Sequence, residues 1–172
     1  FIIELSAPLP ARVEAGYVIE NLTCTPDAEI RNCHFGSCRA RGLLVSTPGK
    51  VIIENNVFES SGSAILIAGD ANAWYESGAV KDVLIRNNDF RYPCNSSLYQ
   101  FCEAVISIDP EIPTPEQKYP YHRNIRIVDN TFHLFDYPIL FARSVDELTF
   151  SSNTLIRDTT YQPYHYRKEG IT

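Results

Sequence analysis

The sequence predicts an all-β chain folded as a right-handed parallel β-helix of about five rungs, with a short β extension at the N-terminus. Three observations predict it: an octet that recurs five times, a recurring interval of 23 residues between copies, and a further apolar strand inside each rung. The octet reads Ala28-Glu-Ile-Arg-Asn-Cys-His-Phe35, Val51-Ile-Ile-Glu-Asn-Asn-Val-Phe58 and Val83-Leu-Ile-Arg-Asn-Asn-Asp-Phe90. It continues as Ile125-Arg-Ile-Val-Asp-Asn-Thr-Phe132 and Leu148-Thr-Phe-Ser-Ser-Asn-Thr-Leu155. Positions one and three are mostly apolar, which is a strand period and not a helical one. The sixth position is Asn in four copies of five, and the eighth is Phe in four of five. An Asn where the chain must turn tolerates left-handed backbone. Stacked on its equivalents it can form an amide ladder. The Phe is expected to point inward and stack on its counterparts.

The eighth positions fall at 35, 58, 90, 132 and 155, so the intervals are 23, 32, 42 and 23. About 23 residues suit one rung of three short strands and three corners, repeated as in other solenoids. The two longer intervals are that rung plus 9 and plus 19. The inner strand reads Leu43-Leu-Val45, Ile65-Leu-Ile67, Val105-Ile-Ser107 and Ile139-Leu-Phe141. It follows the Phe by seven or eight residues in three rungs and by fifteen after Phe90, which places extra residues at 91–103. The return to the next octet is short after Val45 and Phe141 but long after Ile67 and Ser107. Loops 68–82 and 108–124 therefore leave the same corner of neighbouring rungs, with bases about one strand spacing, roughly 4.8 Å, apart. This alignment sets Asp109 beside Gly69. Function tends to reside in loops carried on a rigid scaffold.

Residues 1–22 lack the octet. Phe1-Ile-Ile-Glu-Leu and Gly16-Tyr-Val-Ile-Glu read as the last strands of a small β subdomain leading into the helix. The rungs occupy 23–158. Residues 159–172, rich in Tyr and charge, read as a cap or tail. The length of 172 residues suits one domain. A formal net charge of −6, without a Lys/Arg cluster to neutralise phosphates, argues against nucleic acid. No apolar run is long enough to span a bilayer. The chain begins at Phe1 and contains no Met, and it reads as part of something longer.

The five cysteines, Cys24, Cys33, Cys38, Cys94 and Cys102, have neither zinc spacing nor a full disulfide pattern. Apolar filling between rungs is expected of them, with a Cys94–Cys102 pair as the alternative. The four His residues show no metal spacing. No metal ion and no organic cofactor is expected.

The first inserted loop, Gly69-Asp-Ala-Asn-Ala-Trp-Tyr-Glu-Ser-Gly78, holds the only Trp of the chain. An aromatic face beside Asp70, Asn72, Tyr75 and Glu76 is what a sugar site needs: the ring stacks on Trp74 and the hydroxyls bond the polar groups. The alternative is that Trp74 covers the helix side and the acids are solvated. The second loop, Ile108-Asp-Pro-Glu-Ile-Pro-Thr-Pro-Glu116, adds Asp109 and Glu111. Asp70, Glu76 and Asp109 are weak candidates for a catalytic carboxyl pair; Glu111 is a candidate contact to substrate. Glycoside hydrolysis needs two carboxyls, about 5 Å apart for retention or roughly 6.5–9.5 Å for inversion. Arg39 and Arg41 precede the inner strand of rung one, where Arg41 could bond a sugar. The stretch from Cys94 to Glu103, with Tyr99 and Gln100, is placed to rim the same face.

Taken together, Glu20-Asn-Leu-Thr, Arg39-Ala-Arg-Gly42, Ala64-Ile-Leu-Ile-Ala through Gly78, and Val83-Leu-Ile-Arg-Asn-Asn resemble glycoside hydrolase family 110 over nearly the whole chain. The Gly69–Gly78 stretch is the most specific part. The resemblance implies an exported bacterial, secreted or periplasmic, inverting exo-α-1,3-galactosidase without metal or cofactor. Its catalytic aspartates, as the resemblance implies, lie in earlier rungs and include an adjacent Asp-Asp pair, which this chain lacks. The loops are then substrate-binding walls. Two other readings compete: another β-helix enzyme such as a polysaccharide lyase or galacturonan hydrolase, and a non-catalytic β-helix adhesin. A lyase wants calcium-binding acids and a basic residue on one strand face, and an adhesin wants unadorned rungs. Neither pattern is present.

Overall fold

The structure is a computed structural model that describes residues 2–60, 62–71, 73–76, 78–91, 102–112, 119–134 and 138–160. Fourteen strands are described: β1 (Ala28–Arg31), β2 (His34–Gly36), β3 (Arg41–Val45), β4 (Lys50–Glu54), β5 (Val57–Glu59), β6 (Ser63–Ile67) and β7 (Asp82–Arg86). The series continues with β8 (Asp89–Phe90), β9 (Ile106–Ile108), β10 (His122–Val128), β11 (Thr131–Leu134), β12 (Leu140–Ala142), β13 (Val145–Ser151) and β14 (Thr154–Arg157). They form three parallel sheets. The first runs β1-β4-β7-β10-β13, the second β2-β5-β8-β11-β14 and the third β3-β6-β9-β12. Every strand pairs with its equivalent one rung away, so the chain coils as a parallel β-helix.

The octet register holds throughout. Ala28, Val51, Val83, Ile125 and Leu148 are successive partners in the first sheet. Phe35, Phe58, Phe90 and Phe132 stack inside the coil with centroids 4.9, 5.0 and 4.6 Å apart and nearly parallel planes. Around them the core is filled by Ile53, Ile65, Ile67, Ile85, Ile106, Ile108, Ile125 and Ile127, all fully buried. β-branched side chains pack well on such a pleated surface.

The sixth-position Asn side chains form the expected ladder, with a division of labour the octet did not reveal. Nδ2 of Asn56 donates to Oδ1 of Asn88, Asn88 to Asn130 and Asn130 to Asn153, each at 3.0 Å. The same Oδ1 atoms accept the backbone N–H of the preceding rung, and Cys33 ends the ladder by donating its N–H to Asn56. The left-handed backbone sits one residue earlier. Asn32, Asn55, Asn87, Asp129 and Ser152 have φ between 53° and 56°. The fifth residue makes the turn, and the sixth satisfies the donors that the turn exposes.

Two further readings are corrected. Val105 does not align with Leu43 and Ile65; their partner is Ile106, followed by Leu140, so the third sheet is shifted by one residue. Such a shift exchanges the faces. Here Val105, Ile106 and Ile108 are all buried, and Ser107 takes the outward column beside Leu66. The apolar Val105 directly before Ile106 hid the register. The N-terminal β extension is also absent among the described residues. Residues 2–27 hold no strand, only a 3-10 turn at Leu22–Cys24 capped by Asn21. Ile2, Ile3, Val18 and Ile19 are exposed, so this alternating apolar pattern has no sheet to join. Pro8 and Pro10 also remove ladder donors. Residues 161–172 lie outside the described residues.

Candidate functional site: the two inserted loops

The two insertions do leave one corner. The third-sheet ladder continues past the strands: the Asp109 N–H donates to the Ile67 carbonyl at 2.9 Å and the Glu111 N–H to the Gly69 carbonyl at 3.0 Å. With the corrected register, Glu111 is level with Asp70, and Asp109 with Ala68. The Tyr121 ring closes the gap from the far end of the second loop. It packs so tightly on Gly69 that a β-carbon there would lie 2.7 Å from the phenol oxygen.

Asp70 organises its own loop. It is buried, and its carboxylate accepts the Ala73 N–H at 2.9 Å and the Trp74 N–H at 3.3 Å. Its carbonyl accepts the Glu76 N–H at 2.7 Å. This folds 70–76 into a tight turn and pushes two aromatics into solvent. Trp74 is 79% exposed and Tyr75 is 82% exposed. Tyr75 also has φ +53°, a conformation that a bulky residue adopts at a cost of about 1–3 kcal/mol. Such strain persists only where surrounding contacts over-determine it. Glu76 is half-buried and Glu111 exposed; Asn72 lies outside the described residues.

Asp109 is held in place. Its Oδ1 is 2.7 Å from Nη2 of Arg143, which also donates to the Pro110 carbonyl at 2.8 Å. The pair ties the second loop to the next rung. Of the candidate catalytic carboxyls, Asp70 and Asp109 are thus engaged in building the loops.

Arg41, at the start of β3, is half-buried and pairs in register with Ser63. Its charge and those of Asp109 and Glu103 all act on the buried Cys102 thiol. Burial is the main effect there and, with Asp109 and Glu103, pushes the thiol up to about 11, against the pull of Ser63 and Arg41. Cys94, Tyr99 and Gln100 lie outside the described residues. The expectation of cysteines filling between rungs suits Cys102, while Cys24 and Cys33 are exposed. Among the described residues no three His, Cys, Asp or Glu side chains are grouped to hold a metal. No described helix is long and apolar enough to cross a membrane.

Sequence reasoning missed Glu20, Tyr121 and Arg143. Glu20 reaches across 58 residues, its Oε1 accepting the Gly78 N–H at 3.0 Å. Burial raises the Tyr121 phenol, and the charges of Glu20 and Asp70 raise it further. Nothing in the local sequence marks these partners, since each contact joins segments distant in sequence.

A coil of parallel strands, an internal Asn ladder and an aromatic stack define a solenoid. The chain belongs to the right handed beta helix region family, which matches residues 17–166. Over all 172 residues it is 96% identical to Alpha-1,3-galactosidase B of Bacteroides thetaiotaomicron, covering 28% of that protein. It is 46% identical to Alpha-1,3-galactosidase A of Bacteroides fragilis over 98% of the chain and 29% of the relative. Alpha-1,3-galactosidase B of Akkermansia muciniphila is 44% identical over 97% of the chain, which covers 22% of it. The chain spans less than a third of the length of these curated relatives.

Proposed function

We propose that this chain forms the substrate-gripping wall of an inverting exo-α-1,3-galactosidase, which removes terminal α-1,3-linked galactose from blood group B-type or linear glycans. One observation carries the reading. A backbone turn fixed by a buried carboxylate presents Trp74 and Tyr75 to solvent, in a chain 96% identical to an α-1,3-galactosidase. An exposed, preorganised aromatic offers a stacking face for the apolar side of a sugar ring at little ordering cost. Glu76 and Glu111 of the two loops and Arg41 of β3 are offered as hydrogen-bonding partners of the sugar, and Asp70 acts by shaping the loop. Inversion needs one carboxylic acid at the leaving oxygen and one carboxylate activating water from the opposite face. With Asp70 and Asp109 engaged in the loops, we place that acid and base in rungs outside this chain. Two carboxyl groups suffice for both proton transfers, so no cofactor is required. Glycans of this kind are met outside the cell, and the enzyme accordingly works as a secreted, periplasmic or envelope protein of a bacterium.

The test uses the full-length Bacteroides thetaiotaomicron relative with its matching segment replaced by this chain. In that chimera Trp74→Ala should raise KM for Galα1-3Gal about tenfold or more, the weight of a lost aromatic anchor, with kcat little changed. Unchanged kinetics would leave Trp74 a surface residue and remove the reading.

A further inference from the structure

The N-terminal segment has no sheet to join, yet it delivers one side chain to the inserted loops. Glu20, half-buried, accepts the Gly78 N–H at 3.0 Å. Gly78 is the residue by which the Trp74 turn returns to the rung, and Glu20 fits against it closely. A β-carbon at Gly78 would lie 2.8 Å from Oε2 of Glu20, and the three atoms nearest to it all belong to Glu20. On the other side of the turn, Tyr121 closes on Gly69. Both ends of the turn are thus gripped by segments distant in sequence, one from before the rungs and one from the second loop.

We propose that Glu20 is a positioning residue for substrate recognition: its carboxylate latches the Gly78 end of the Trp74 loop and so sets where the aromatic face stands. This rests on the reading of that loop as sugar-binding. A carboxylate bonded to a backbone N–H is a charge-assisted contact, stronger than a neutral one. It is also the kind of supporting contact that fixes a binding group to within a fraction of an ångström. Glu20 acts through the loop, so its loss moves the aromatic without removing any group from the chemistry.

The experiment uses the same full-length chimera and compares Glu20→Ala, Glu20→Gln, Gly78→Ala and Trp74→Ala. Glu20→Ala should raise KM about tenfold with kcat within about twofold, as loss of one charge-assisted bond would. Glu20→Gln keeps an acceptor oxygen for the Gly78 N–H and should restore KM to within about threefold of the parent. Gly78→Ala crowds the carboxylate, which can swing aside at the cost of its bond, so it should raise KM no more than Glu20→Ala does, and adding it to Glu20→Ala should cost little more, since the atoms it strikes are gone. That non-additivity is the signature of a direct coupling. A Glu20→Gln variant as impaired as Glu20→Ala, or additive Glu20 and Gly78 effects, would overturn the latch. So would a normal KM in Glu20→Ala while Trp74→Ala raises it. If Trp74→Ala itself leaves KM unchanged, it is the sugar-binding reading of the loop that fails.

Discussion

At the scale of single residues, His122 shows how a buried polar group turns into a pH dependence. Its Nδ1 accepts the Val80 N–H at 3.1 Å, which places the ring proton on Nε2. That nitrogen is buried and has no hydrogen-bond partner among the described residues. Burial lowers the imidazole from 6.5 to about 4. The folded state therefore holds it neutral where the unfolded chain would protonate it. Stability is full above the unfolded value and falls as pH drops from about 6.5 towards 4. The loss approaches about 3 kcal/mol, at 1.36 kcal/mol per pKa unit. His122→Asn keeps an acceptor for Val80 and cannot titrate. Thermal unfolding of the full-length chimera should show a shallower decline between pH 7 and 4 in that variant. Equal slopes would mean that another group governs the acid limb.

At the scale of the elements, the Asn ladder carries a graded prediction. Asn88 serves four buried groups: it accepts from the N–H and Nδ2 of Asn56 and donates to the Ile53 carbonyl and to Asn130. Asn88→Ala removes all four bonds and leaves the Asn56 N–H without its acceptor, although Asn56 Nδ2 keeps the Ile30 carbonyl and Asn130 Oδ1 keeps the Asn88 N–H; a cost of roughly 3 kcal/mol is expected. Asn153 is itself half-buried in the last ladder position, so Asn153→Ala opens its partners on the buried Asn130 and Ile127 to water and should cost about 1 kcal/mol. The comparison of thermal midpoints checks the gradient, and equal losses would contradict it. The ladder and the Phe stack were legible in the sequence because each octet repeats the same contact with its copy. What repetition does not reinforce was not legible. Val105 and Ile106 are both apolar, so where the inward phase begins is ambiguous, and the observed pairing fixes it on Ile106 and Ile108. The fifth and sixth octet positions are both turn formers, and their separate tasks appear only from φ and from the bonds.

At the scale of the molecule, the coil provides a rigid spine, and both inserted loops leave one corner of it. The repeat intervals located that corner, because inserted residues stand out against a constant rung. The interior of the site was less legible. Asp70 and Asp109 carry the right chemistry for a reaction, but the first closes its own turn and the second pairs with Arg143. Glu20 and Tyr121 hold the loops from segments that carry no local signal. On the proposed function, both loops form one sugar-binding surface. Amide hydrogen exchange in the full-length chimera, with and without saturating galactose, tests it most directly. Ala73–Glu76 and Asp109–Glu111 should be slowed together while the first-sheet strands β7 and β10 stay unchanged. Protection of neither loop, at galactose levels that inhibit the enzyme, would contradict it.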